Sequence, residues 1–209
     1  QMHALEDPDC PLNQPFVADL RGWSAITDKI SYWLYVTNFR NYLLPCPNLG
    51  TLGRNVRTLR DHHAVGVMMQ GQWNGHGADF PELKNYVLAK LLWDPTLEED
   101  DLVREFVQLH YGTAAEGVMA ILAKIESLPA PDLHRYCNGN AAQYGFSPAH
   151  GRELVMAFAE LLRKTDDPVL RARLEKASVC AWRLLAEPWW PRGWRLDLAA
   201  PAPAPELDD

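Results

Sequence analysis

The chain has 209 residues, 47% hydrophobic and 22% charged, enough to bury a real core and ordinary for a soluble globular protein. Its net charge of -7 argues against a nucleic-acid backbone or an anionic membrane as its main partner. No apolar run reaches the roughly 18 residues that a membrane-spanning helix requires.

Residues 1–13 are polar and rich in Asp and Pro, which predicts irregular chain. Phe16, Val17, Leu20, Trp23 and Ile26 then recur at helical spacing, predicting a helix over 14–28. Residues 29–37 are dense in β-branched and aromatic side chains and read as a buried strand. A loop with Pro45 and Pro47 follows, then a helix over 51–63 with Leu52, Val56 and Leu59 on one face. Ala64 to Met69 is a second short strand, and a Gly-rich loop from Gln70 to Gly77 leads into a helix over 79–93. Helix and strand alternate as in a parallel sheet with covering helices.

Beyond Asp94 the strands stop. Thr96 with Glu99 and Thr113 with Glu116 read as capping boxes opening helices over 97–111 and 114–128, with Gly112 as the C-cap between them. Ser147-Pro148 and Asp167-Pro168 each place Pro at the first position of a further helix. Residues 199–206 are an Ala-Pro tract expected to be extended or disordered. Three regions result: 1–94, a helical 95–190, and a tail over 191–209. Two parallel strands cannot make a stable sheet alone, so the chain reads as a C-terminal piece whose other strands lie upstream.

Several motifs carry a resemblance in the right order over about half of the chain. They are Cys10 with Asn13, Tyr32-Trp33-Leu34-Tyr35 running into Thr37-Asn38-Phe39, and Tyr42-Leu43 with Pro45-Cys46-Pro47-Asn48. Gly66-Val67-Met68-Met69-Gln70-Gly71, Glu82-Leu83, the stretch from Tyr86 to Pro95, and Glu105-Phe106 with Tyr111-Gly112 complete the set. Together they resemble a large bacterial family known as a domain of unknown function, related in fold to α-glucuronidases and β-hexosaminidases. The resemblance implies the last two strands of a (β/α)8 barrel followed by a helical extension, an α/β fold that is mostly α overall. It further implies a secreted or periplasmic protein acting on poly- or oligosaccharides. An acidic residue is expected in the family where Leu34 and Met69 stand here.

In such barrels the site lies at the C-terminal ends of the strands. That places Tyr35, Asn38, Gln70, Trp73 and Asn74 on the rim as sugar-binding residues, with Thr37, Gln72 and His76 nearby. Glycine lets the backbone approach a ligand, while Gln, Asn and Trp offer amide hydrogen bonds and a stacking face for neutral sugars. Glycoside hydrolysis needs two carboxyl groups flanking the bond. The acids nearest this rim, Asp79 and Glu82, have the spacing of a capping box, so the catalytic residues stay unassigned.

No cofactor is implied. His62, His63 and His76 do not form an HExxH pattern, and Cys10, Cys46, Cys137 and Cys180 form no CxxC, so no metal site is expected. The 8 Trp residues read singly as core packing. The run Tyr32 to Tyr35 reads mainly as barrel core, with Trp33 facing opposite to Tyr32 and Leu34. The expected partners are carbohydrate, and an upstream barrel segment or a second copy covering the strand edges, with neither nucleic acid nor membrane. The reading is of a sugar-site rim lacking its catalytic acids, with a non-catalytic carbohydrate-binding or scaffold module as the alternative.

Overall fold

A computed structural model describes residues 3–187 apart from 74, 76, 129–132 and 135. The element order is α1 (Gln14–Ser24), β1 (Ile30–Tyr35), α2 (Leu49–Asp61), β2 (Ala64–Gln70), α3 (Pro81–Trp93), α4 (Glu99–Tyr111), α5 (Ala115–Ser127), α6 (Pro148–Arg163) and α7 (Pro168–Leu185). Short 3-10 turns occupy Gly112–Ala114 and Ala142–Tyr144. The tail over 191–209 lies outside the described residues.

The barrel expectation is overturned. The described residues hold one sheet of two parallel strands, β1 beside β2. The rest of the described chain is predominantly helical, a small α-rich fold. Helix and strand do alternate over residues 14–93, but the sheet does not extend beyond two strands, because such an alternation specifies a crossover and not the number of strands.

The register explains which side chains face where. Ile30 pairs with Ala64, but Ser31 pairs with Gly66, so Val65 is a one-residue bulge in β2. Beyond the bulge Trp33 lies beside Met68 and Tyr35 beside Gln70. Alternation then sends Tyr32, Leu34, Val67 and Met69 to one face, where they pack with Leu5, Leu20 and Leu59. Leu34 and Met69 thus stand in an apolar layer between sheet and helices. An unpaired carboxylate there would be strongly destabilising.

The main core is built between helices. It runs without interruption from Val36 and Leu44 through Leu83, Val87 and Leu91 of α3 and Val107 of α4 to Val118, Phe158 and Leu184. It therefore includes residues on both sides of position 94.

Helix starts differ from the sequence reading in instructive ways. Ser147 caps α6 in a reciprocal box with His150, and Asp167 accepts from the Val169 and Leu170 N–H groups at the start of α7. Gly112, with φ 50°, ends α4 as expected. The other capping boxes are not formed. The Thr96 hydroxyl donates to Asp94 (2.6 Å), while Glu99 is buried against Arg57 at 3.0 Å. The Thr113–Glu116 box is replaced by the 3-10 turn. At α3 the N-cap is Phe80, held in the left-handed region at φ 44°. That strain is sustained by burial of its ring against Phe158, with centroids 6.5 Å apart.

The described tryptophans depart from the core packing expected of them. Trp23, Trp33, Trp73, Trp93 and Trp182 are all exposed, Trp93 at 91%. The prior that a large aromatic is buried gives way where a helix or sheet face has no neighbouring layer.

Candidate functional site

The second face of the sheet is uncovered. Ser31, Trp33 and Tyr35 of β1 line up beside Gly66, Met68 and Gln70 of β2. Parallel sheets ordinarily bury both faces, yet here Trp33 is 62% and Tyr35 47% exposed. The Trp33 indole N–H donates to the Gln70 side-chain oxygen at 2.7 Å, which fixes the ring and leaves the amide NH2 pointing elsewhere. The Tyr35 ring meets Phe39 edge to face at 4.9 Å, and its hydroxyl makes no hydrogen bond to any described residue. Two exposed aromatic residues two apart on one strand and an amide on the next form a strip along one face. Such a strip suits the apolar faces and hydroxyls of a sugar.

The structure brings Tyr35 and Gln70 of the expected set together and treats the others differently. Asn38 is fully buried and committed: its NH2 donates to the Gly139 carbonyl (2.7 Å), and its oxygen accepts from the Arg40 and Asn41 N–H groups. It is a loop-building residue, out of a ligand's reach. Trp73 is 73% exposed three residues past Gln70, with no hydrogen bond or ring contact to the strip among the described residues. Asn74 and His76 lie outside the described residues. Trp33 and Met68 were missed; the i, i+2 relation of Trp33 to Tyr35 was the available signal.

The acids near the loop are not a catalytic pair. Asp79 is buried, accepts from the Cys46 N–H at 2.8 Å and pairs with Lys84 at 2.7 Å. Lys84 also donates to the Cys46 carbonyl at 2.8 Å. Burial works to lower the Lys84 ammonium, but Asp79, helped by its hydrogen bond, outweighs it and leaves the group above its ordinary value. Glu82 is bonded to Lys176 of α7. Burial works to raise its carboxyl, while Lys176 and its own backbone N–H hold it below its usual range. The capping-box reading of this pair is therefore replaced by two ion pairs, one buried and one at the surface.

All four cysteines are free. Burial pushes the Cys46 and Cys180 thiols up, which keeps them protonated and unreactive. No cluster of three or more metal-ligating side chains occurs among the described residues. No described helix is long and apolar enough to cross a membrane.

No curated protein and no solved structure matches this chain. The family of the domain of unknown function DUF4838 matches residues 1–123, more than half of the chain, and the chain belongs to that family.

Proposed function

We propose that the chain holds a neutral oligosaccharide on the open face of its sheet, as a non-catalytic part of a glycoside-hydrolase-like protein. The observation that carries the reading is the exposed strip of Trp33 and Tyr35 rings beside the Gln70 amide. Stacking on flat rings plus a few fixed hydrogen bonds is how proteins bind neutral sugars without charge. The strip supplies rings, an amide and hydroxyls, which bind, and not the two carboxyl groups that glycosidic cleavage uses.

Calorimetric titration of the whole chain with cellohexaose, chitohexaose, xylohexaose and maltohexaose tests this. At least one should bind, and Trp33→Ala should weaken it by about tenfold, the equivalent of roughly 1.4 kcal/mol. Equal affinity in the variant would refute the platform. Trp33 is exposed, so the substitution should leave thermal stability nearly unchanged.

A second reading has one observation in its favour. Val65, exposed on the bulged strand, and Met68, exposed on the open face, are apolar groups that a second copy or another polypeptide segment would cover. A rise in sedimentation coefficient with protein concentration, abolished by Met68→Glu, would support that reading over the sugar platform.

A further inference from the structure

Away from the sheet, a cavity of about 520 Å³ opens between the start of α3, the end of α4 and the first half of α7. Its volume is within the range of small-molecule sites. Its lining combines apolar Phe80, Pro81, Val169 and Ala172 with polar Arg173, His110 and Tyr111.

These three polar residues have unspent hydrogen-bonding capacity. Arg173 donates one N–H to the His110 carbonyl at 2.6 Å and pairs with no carboxylate among the described residues, so most of its five donors are free. The His110 ring stacks on Phe106, with centroids 4.8 Å apart, and its nitrogens have no described partner. The Tyr111 residue is buried, yet its hydroxyl bonds to no described residue. Arg173 and His110 are half-buried on the cavity wall, so their spare donors, with the Tyr111 hydroxyl, are open to whatever enters it.

Charge defines the visitor. Glu82 and Lys176, also on the cavity wall, neutralise each other. Burial, then Arg173, holds the His110 imidazole below its ordinary value and so neutral at pH 7. Burial likewise keeps the Tyr111 phenol protonated. What is left is one uncompensated guanidinium flanked by two neutral donors. A carboxylate satisfies all three, whereas an amine would find no free acid, since Glu82 is already engaged.

We propose that this cavity binds a small monocarboxylate with an apolar body, its carboxylate held by Arg173, His110 and Tyr111 and its body lying against Phe80, Pro81 and Val169. The site is independent of the sheet face and of the sugar reading.

Titration of the full chain with phenylacetate, benzylamine, benzyl alcohol and inorganic phosphate tests the proposal. Phenylacetate should bind saturably and at least about tenfold more tightly than each of the others. Arg173→Gln should weaken it by about tenfold or more. Ala172→Trp, which fills the cavity from an exposed helix position, should abolish it. Because Arg173 also holds the end of α4, the Ala172 variant and the charge-matched probes decide the matter if Arg173→Gln does not fold. The proposal is overturned by three results: no saturable phenylacetate binding up to about 10 mM, equal binding of any of the other probes, or unchanged binding in the folded variants.

Discussion

Asp79→Asn destabilises the folded chain by about 3–5 kcal/mol, the usual loss when one partner of a buried ion pair is removed. The substitution leaves the Lys84 ammonium, itself buried, with the Cys46 carbonyl and a neutral amide in place of a carboxylate at 2.7 Å. The pair contributes little on its own account, since taking two charges out of water offsets most of their attraction. Replacing both, as Asp79→Leu with Lys84→Met, should therefore recover most of the loss in urea denaturation. A double variant no more stable than the single one would show that the carboxylate acts instead by holding the Cys46 N–H.

The pH dependence follows from the sign of the shift. In the native protein the Lys84 value is raised above its unfolded value of 10.5. The stability from the pair is fully present below that value and is lost as pH rises through the higher folded one. In Asp79→Asn the largest raising influence on Lys84 is gone, and desolvation is expected to outweigh what Cys46 and Glu126 still supply, so the folded value falls below 10.5. The unfolded state then binds more protons, so the variant regains stability as pH rises toward 10.5. Opposite slopes for native and variant proteins in the alkaline range are the signature.

Gly151→Ala destabilises by about 3 kcal/mol, the upper end for an overpacked core. A Cβ at Gly151 would lie 2.4 Å from the Leu185 nitrogen and 2.7 Å from its Cα, both backbone atoms of α7. Backbone cannot rotate aside as a side chain can, so α6 and α7 would have to separate. Alanine gains about 1 kcal/mol in helix propensity over glycine, and here the clash exceeds that gain. The same exchange at Gly22, in α1 with nothing within 4 Å, should stabilise by about 0.5–1 kcal/mol. Thermal denaturation of the two variants side by side separates propensity from packing. Equal effects would mean that the α6–α7 contact yields without loss.

The elements were legible where their signals are local. Hydrophobic spacing placed α1, α2, α3 and both strands within a few residues, and Ser147-Pro148 and Asp167-Pro168 marked two helix starts because side-chain capping acts within three residues. What failed needed knowledge of distant neighbours. Asp79 spaced three before Glu82 looks like a cap, but Lys84 and the Cys46 N–H compete for it and win through burial. Glu99 was drawn from its expected cap by Arg57, some forty residues away in sequence. Strand number is likewise non-local, and two strands were read as a part of a larger sheet.

The candidate site was half legible. Tyr35 and Gln70 lie side by side at the strand ends because strand ends can be counted, although on an open sheet face and not a barrel rim, whereas Asn38 turns inward to the Gly139 carbonyl from a segment about a hundred residues later. The cavity at Arg173 escaped notice because its groups come from α4 and α7, separated by over sixty residues.

The central claim, that sugar lies on the open sheet face, is tested most directly at the Trp33 indole. Its N–H donates to Gln70 at 2.7 Å, so its proton–nitrogen resonance reports any ligand that stacks on the ring or competes for the amide. The resonance is assigned by its loss in Trp33→Phe and followed while the best-binding oligosaccharide of the panel is added. A saturable shift at Trp33, with the distant Trp182 signal unmoved, is the predicted result. An unmoved Trp33 signal at saturating sugar would contradict the account.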